Sequence, residues 1–181
     1  MAIKFACYRG IGWISEGIKM LTYSQFSHIG ILFSEDLTVD VNGKQHFIAA
    51  GNVIEAWQGG VKLSESLSSR HTKNTPVDLF SYEHELNRME EYEAGKFLVR
   101  NLGKKYAYLN VAYFIPIVRV LFPNPPDRWY DRTHVFCSEL AVELSFHINR
   151  PLFKRCKAFE IPPRDIPRNP LLRYEKTVYT E

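Results

Sequence analysis

The chain has 181 residues, of which 45% are apolar and 24% are charged, and its formal net charge is +3. This length and balance predict a single globular domain over residues 1–181 and exclude a disordered chain. Because the charge is only mildly basic, it gives no argument for nucleic acid, and we expect none as a partner.

The first half of the chain has the patterns of short strands with one helix between them. Alternation and dense apolar runs predict strands at residues 2–8, Phe26–Phe33, Asn52–Trp57 and Val77–Phe80. Apolar residues at helical spacing predict a helix over residues 12–22. Asn42 and Gly43 stand between short apolar segments, which indicates a tight hairpin.

The second half has the patterns of helices and proline-rich loops. A segment over 82–102, rich in Glu, Leu and Lys, predicts a helix that Gly103 ends. The apolar stretch Tyr108–Phe122 is shorter than the roughly 18–20 residues of a membrane span, so it predicts a buried or substrate-facing helix and loop. Contact with a membrane surface is the lesser alternative.

The segment Cys137–Ile148 predicts a helix, and the prolines of Pro151–Pro170 predict a tail that wraps irregularly over the surface. The predicted class is α+β with a mostly antiparallel sheet.

Cys137 stands at the first turn of the last predicted helix. Unpaired N–H groups at a helix N-terminus favour a thiolate and can hold an oxyanion, so Cys137 is a candidate nucleophile. The alternative is a small buried apolar side chain, a common place for a free cysteine. With Cys7 and Cys156 it makes an odd number, too few for a disulfide scaffold. Together with the lack of a visible signal peptide, this favours a reducing, cytoplasmic location.

A cysteine nucleophile needs a base, and His28 is the first candidate. Alternation along Phe26–Phe33 puts His28, Gly30 and Leu32 on one face of a strand, where a polar ring needs a partner. Glu55 stands in an otherwise apolar strand, where an unpaired carboxylate would be costly, and it is the candidate acid that orients His28. The alternatives are a structural histidine and an ordinary edge-strand glutamate.

A metal site is the other chemistry that the sequence suggests around Cys137. His134-x-x-Cys137 has a spacing seen in zinc sites, but such sites need three or four ligands, and no second pair accompanies it. We therefore expect no metal and no other cofactor. His134 is also the rival to His28 as base, and its position before the nucleophile predicts a loop.

Four short motifs in one order carry a family resemblance. FSHIGILF, NVIEAWQGGV, the segment Gly103–Tyr106 and VFCSEL, followed by a proline-rich tail, resemble the circularly permuted NlpC-like cysteine peptidases of the YiiX type. The resemblance covers nearly the whole chain and implies a papain-like fold in which the strand with the base precedes the helix with the nucleophile. It implies Cys137 as nucleophile, His28 as base, Glu55 as the orienting acid and Tyr106 beside the oxyanion site. Ala107 departs from the pattern, because an aspartate often follows that tyrosine.

These residues together predict a hydrolase of amide bonds that forms an acyl-enzyme on Cys137. By resemblance, the expected partner is a peptide-like or acylated small substrate, such as a peptide, an isopeptide or an N-acyl amino acid. One alternative is lipid or thioester acyl transfer or thioester hydrolysis, as in the related lecithin:retinol acyltransferase group. The other is a binding module without turnover, against which the intact Cys–His–Glu set argues.

Overall fold

The computed structural model describes residues 3–11, 13–22, 24–107, 133–154 and 156–181. Its largest sheet contains the strands β1 (Ile3–Tyr8), β2 (His28–Phe33), β5 (Val53–Trp57), β6 (Gly60–Ser64), β7 (Pro76–Tyr82) and β10 (Leu172–Tyr179). The spatial order is β10-β7-β1-β2-β5-β6, and every neighbouring pair is antiparallel. The predicted α+β class with a mostly antiparallel sheet is confirmed.

The remaining elements are short strand pairs and helices. They are β3 (Leu37–Val41), β4 (Lys44–Ile48), β8 (Lys105–Tyr106), β9 (His134–Val135), α1 (Trp13–Thr22), α2 (Arg88–Asn101), α3 (Cys137–His147) and two 3₁₀ turns at Ala158–Glu160 and Pro163–Asp165. β3 and β4 form an antiparallel hairpin, whereas β8 and β9 pair in parallel. Asn42 and Gly43 both have positive φ, 56° and 78°, which gives the hairpin the predicted tight turn.

The two faces of the large sheet bury different sets of side chains. Ile29, Ile31 and Phe33 of β2 belong to the main core, which also contains Leu140 and Leu144 of α3. The opposite face has a smaller core, made of Ala6, Tyr8, Leu32, Val53, Val77 and Leu79. This alternation along β2 is the one that its sequence predicted. Helix α3 therefore covers the face opposite to that of His28 and Gly30.

Helix α2 begins later than its composition predicted. The predicted segment starts at residue 82, but Tyr82 ends strand β7 and the helix begins at Arg88. Asn87 sets this boundary, because its side chain accepts hydrogen bonds from the N–H groups of Met89 and Glu90. The carboxylate of Glu90 in turn accepts from the N–H of Asn87 at 2.8 Å. This reciprocal pair is a capping box, which satisfies N–H groups that the first turn leaves without partners.

The C-terminal region is more ordered than predicted. Leu152, Phe159 and Ile166 are buried, so the proline-rich tail covers the core instead of wrapping only over the surface. After it, the unpredicted strand β10 pairs with β7. The predicted elements at Tyr108–Phe122 and Pro123–Pro126 lie outside the described residues. Among the residues that are described, no helix combines the length and the apolar character that crossing a bilayer requires.

Candidate active site

Cys137 is the first residue of α3 and is only 4% exposed. Burial raises the pKa of its thiol to about 12, and the nearby charge of Glu55 adds to this rise. The backbone N–H groups of Ile29, Ser138 and Cys137 itself interact with the sulfur and lower the thiol pKa in part. The helix start thus offers the predicted N–H groups, but burial outweighs them and keeps the resting thiol protonated.

His28 and Glu55 form the predicted pair. His28 begins β2 and Glu55 lies in the middle of β5, and their side chains are joined by a 2.7 Å hydrogen bond between Nε2 and Oε2. Both are almost fully buried. Gly30 lies opposite Glu55 in the register, and a Cβ there would lie 2.8 Å from Val53 Cγ1, so the side chains packed around Glu55 leave no space for a larger residue. Burial lowers the pKa of His28, and the hydrogen bond to Glu55 offsets only part of that effect.

A second histidine, His71, shares the same carboxylate oxygen. Its Nε2 lies 3.1 Å from Glu55 Oε2, and it comes from the loop between β6 and β7. Burial would raise the pKa of Glu55, but the hydrogen bonds from His28 and His71 outweigh it and hold that pKa well below its ordinary value. Because the carboxylate is ionised, each imidazole donates through Nε2, which leaves Nδ1 of His28 as the acceptor nitrogen.

The other oxygen of Glu55 has separate partners. Ser64 Oγ donates to Oε1 at 3.0 Å, and Arg70 Nε donates to that hydroxyl at 2.8 Å. Aromatic rings enclose the histidines: Tyr8 stacks on His71 at a centroid distance of 3.7 Å. Trp57 lies edge-on to His28 and His71, at 4.6 and 4.8 Å. Both carboxylate oxygens of Glu55 therefore have hydrogen-bond partners, and aromatic rings largely shield this cluster from solvent.

Cys137 approaches this cluster from the opposite face of the sheet. The pairing of β2 with β5 ends at Gly30 and Glu55, so it does not extend to His28 and Ile29. The sulfur interacts with the Ile29 N–H just beyond this last pair. Within the described part of the chain, no hydrogen bond joins Cys137 to His28. The structure thus brings His28 and Glu55 together and places Cys137 next to the residue that follows His28.

Tyr106 and His134 flank the start of α3 through the β8–β9 pair. The parallel register puts Tyr106 opposite Val135, two residues before Cys137, and Lys105 opposite His134. Tyr106 is half-buried against the main core. His134 lies in strand β9, not in the predicted loop, because its neighbours pair with the segment after α2.

His28, Glu55 and His71 also form a set of three metal-ligating side chains. One donor atom from each lies within 4.8 Å of the others, and no second set of this kind occurs in the described ranges. Two imidazoles and a carboxylate match the ligands of zinc and of other divalent transition metals. This set differs from the His134–Cys137 pair that the sequence suggested. No sequence signal identifies His71, which stands in a loop rich in serine and threonine.

No protein-family model matches the sequence, and no curated protein matches it. A similar solved structure is the crystal structure of metalloprotein yiiX from Escherichia coli O157:H7, DUF1105. It is 15% identical to this chain, with a TM-score of 0.58, and the alignment covers 100% of this chain and 97% of the other. Identity this low shows a shared fold and leaves the activity open. The chain therefore has the α+β fold of yiiX, in agreement with the resemblance of its motifs.

Proposed function

We propose that this protein is a cysteine hydrolase of amide bonds, with a permuted papain-like arrangement of its catalytic residues. Cys137 is the nucleophile, His28 the general base and Glu55 the acid that orients the base. The observation that carries the proposal is the buried 2.7 Å hydrogen bond between His28 and Glu55, one residue along β2 from the Ile29 N–H that faces the thiol.

The reactive pair starts neutral in this mechanism. Burial raises the thiol pKa and lowers the pKa of His28, so a preformed thiolate–imidazolium pair is disfavoured. The thiol proton therefore moves to Nδ1 of His28 as the sulfur attacks the carbonyl carbon. Catalytic contacts often tighten only when substrate binds, and the sulfur and Nδ1 would meet where the pairing of β2 with β5 ends.

The reaction then follows two balanced steps. In the first, the S–C bond forms, the amide C–N bond breaks, and the amine leaves with the proton that His28 had taken. In the second, His28 takes a proton from water, the hydroxide adds to the thioester carbon, and the thiolate leaves and regains its proton. The charge of Glu55 stabilises the imidazolium in both steps. The N–H groups at the start of α3 stabilise the negative charge, and Tyr106 lies close to them.

A cleft on the same sheet face as α3 supports a substrate with an acidic group. Its volume is about 590 Å³ and its lining includes Arg9, Phe26, Phe80, Arg168 and Tyr174. Arg9 is held by Asp78, to which its Nε and Nη2 donate at 3.1 and 2.5 Å. Arg168 is exposed and can pair with a carboxylate.

A metal-dependent hydrolysis at His28, Glu55 and His71 is the second candidate. The closeness of their three donor atoms favours it, and yiiX, which has a similar fold, is a metalloprotein. A metal held there would supply Lewis-acid chemistry, while Ser64 and Arg70 would keep Glu55 oriented. The acyl-transfer alternative depends on Tyr108–Phe122, outside the described residues.

The experiment compares hydrolysis of peptide, isopeptide and N-acyl amino-acid substrates by the wild type and by Cys137→Ala, before and after treatment with a chelator. We expect Cys137→Ala to lose about 1000-fold or more in kcat/KM. Mass spectrometry of the wild type should detect an acyl group on Cys137. The matched control is Cys156→Ala, since Cys156 is a half-buried thiol elsewhere, and it should stay within about threefold, as ordinary sites do.

Each outcome selects one candidate. Activity that survives chelation and disappears in Cys137→Ala supports the cysteine mechanism. Activity that persists in Cys137→Ala and disappears with the chelator favours the metal-dependent reaction. Turnover of none of the substrate classes by the wild type would contradict both and favour a binding module.

A further inference from the structure

Two histidines from distant parts of the chain converge on one oxygen atom. Nε2 of His28 and Nε2 of His71 lie 2.7 and 3.1 Å from Oε2 of Glu55. A catalytic Cys–His–Glu set requires only one of these histidines. The second, almost as deeply buried as the first, has no role in the cysteine mechanism above.

We propose that His28, His71 and Glu55 bind a divalent ion of the zinc class, and that this ion switches the cysteine site off. The binding stands on the geometry of the three side chains. The inhibition rests on the proposed cysteine mechanism, because it concerns the proton that His28 must accept.

The distances from the two histidines to Glu55 fit a small ion with modest adjustment, and one donor atom from each of the three side chains lies within 4.8 Å of the others. Zinc bonds of about 2.0–2.1 Å in a tetrahedral arrangement hold ligand atoms roughly 3.3 Å apart. The separation of His71 from Glu55 is already close to this value, and that of His28 must open by only about 0.6 Å. Two imidazoles and one carboxylate leave a fourth position for water or for another donor.

Neighbouring side chains fix the positions of the three proposed metal ligands, as a metal site requires. Ser64 bonds Oε1 of Glu55 and so directs Oε2 toward the histidines. Tyr8 and Trp57 pack against the rings and fix their orientation. The Tyr8 hydroxyl is buried and has no hydrogen-bond partner among the described residues, which places an unsatisfied polar group on a ring that contacts His71. Contacts of this kind around a metal site orient its ligands and limit solvent access.

One neighbouring group opposes the ion. Arg70 Nε lies 4.0 Å from Oε1 of Glu55, and its positive charge repels a cation at Oε2. This repulsion should limit the affinity of the site for the metal ion to a moderate value, which suits reversible regulation. Neutralising Arg70 should tighten binding.

The inhibition follows from the two nitrogens of one imidazole. In the catalytic form the proton of neutral His28 sits on Nε2 and is donated to Glu55, so Nδ1 can accept the thiol proton. A metal on Nε2 requires the proton to sit on Nδ1. In that tautomer Nδ1 is a donor, and His28 cannot act as the base for Cys137.

The experiment titrates metal-free protein with a Zn²⁺ salt by calorimetry and records the visible spectrum with Co²⁺. We expect one equivalent of Zn²⁺ to bind, and His71→Ala to weaken the binding at least about tenfold, since even outer-shell changes cost about 10- to 100-fold. Arg70→Gln should bind more tightly. His84→Ala, which removes an exposed histidine elsewhere, should leave the affinity unchanged.

Cys137→Ser keeps this test separate from the proposed function, because it removes the nucleophile and should bind Zn²⁺ as the wild type does. The Co²⁺ spectrum should lack a thiolate charge-transfer band, and circular dichroism confirms that each variant is folded. Equal affinity in wild type and His71→Ala, or a thiolate band, would overturn the site. Should one equivalent of Zn²⁺ bind and raise hydrolysis instead of lowering it, the inhibitory role is wrong and the metal-dependent reaction gains support.

Discussion

Glu55 is a buried carboxylate whose two oxygens serve different partners. Oε2 accepts from His28 and His71, while Oε1 accepts from Ser64. Its hydrogen bond to His28 and its negative charge both raise the pKa of His28 against the effect of burial. One substitution, Glu55→Gln, removes this charge and keeps the shape, so it separates the electrostatic role from the packing role.

We expect Glu55→Gln to lower the plateau of kcat/KM on the order of 10- to 1000-fold, because the imidazolium formed during the reaction loses its counter-charge. The acid limb of the pH profile gives a second readout. Activity needs neutral His28, whose pKa lies below its ordinary value of about 6.5, so the wild-type midpoint should lie below that pH. In Glu55→Gln the midpoint should move lower still.

The control is Glu65→Gln, the same change at an exposed position next to β6. It should leave both the plateau and the midpoint unchanged. A shift of the Glu55→Gln midpoint toward higher pH, or near-normal turnover, would remove Glu55 from the catalytic set and leave Cys137 and His28 as a dyad.

The same two groups make folding stability depend on pH. His28 has a lowered pKa in the folded state, so below about pH 6.5 the unfolded chain takes up its proton first and the folded state loses stability. Glu55 also has a lowered pKa, so its contribution is present above about pH 4.3, the unfolded value, and falls as the pH drops further.

Urea unfolding from pH 7 down to pH 4 measures this dependence. We expect the free energy of unfolding to fall from about pH 6.5 downward, with His28→Gln flattening the first part of the curve. A curve for His28→Gln that runs parallel to the wild type over that first part would show that another group is responsible.

At the scale of elements, Gly60 joins strand β6 to the segment that leads to Tyr106. Its φ is +112°, and a Cβ there would meet the backbone oxygen of Lys104 at 2.2 Å. The Val61 N–H donates to the same oxygen at 2.8 Å. Only glycine allows this approach, which places β8 beside β6 and so positions Tyr106 near the helix start.

We expect Gly60→Ala to cost about 3 kcal/mol of stability, because a positive φ costs about 1–2 and a backbone clash adds more. Gly51→Ala is the matched control, since Gly51 also has a positive φ, +90°, but nothing lies within 4 Å of the added Cβ. It should cost only about 1–2 kcal/mol in thermal or urea unfolding. Equal losses in the two variants would mean that the contact with Lys104 is unimportant.

The elements differ in how far sequence alone could predict them. β1, β2, β5 and α3 bury continuous apolar sets, so their patterns are strong and each prediction is confirmed. β10 is exposed or half-buried after its first residue and carries Arg173, Glu175 and Lys176, so it lacks an apolar pattern. Its pairing with β7 creates the strand.

The candidate site shows the same division. His28 and Glu55 could be predicted because each is a polar residue within an apolar strand, and a polar side chain there needs a partner. His71 has no such signal, because its loop position becomes meaningful only when the fold brings it to Glu55. The side of the sheet from which Cys137 approaches also depends on how α3 packs, which local sequence does not encode.

At the scale of the whole molecule, Asp78 ties the edge of the sheet to its interior. Its carboxylate is buried, with Oδ2 accepting from Arg9 and Oδ1 accepting from Thr177 of β10 at 2.6 Å. The same aspartate is the register partner of Cys7 in β1. Strand β10 is therefore bound to β7 by a side-chain hydrogen bond in addition to the backbone pairing.

Thr177→Val should destabilise the protein by about 1–3 kcal/mol, because it leaves a buried carboxylate oxygen without its donor. Thr38→Val makes the same change on the exposed face of β3 and should alter stability by no more than about 0.5 kcal/mol. The measurement is the unfolding midpoint of each variant. Equal midpoints would show that Oδ1 of Asp78 finds another hydrogen-bond donor.

The position of β10 beside β7 also has a consequence for synthesis on the ribosome. Residues 3–82 contain β1, β2, β5, β6 and β7, as well as His28, Glu55 and His71, so the base and the proposed metal ligands emerge early. Until residues 172–179 follow, β7 is an open edge that another nascent chain can pair with. Cys137 and α3 also arrive after this sheet. At this stage the nascent chain would contain the three proposed metal ligands and an unpaired β7 edge, but not Cys137. A metal ion bound then would restrain the sheet before the rest of the domain is synthesised.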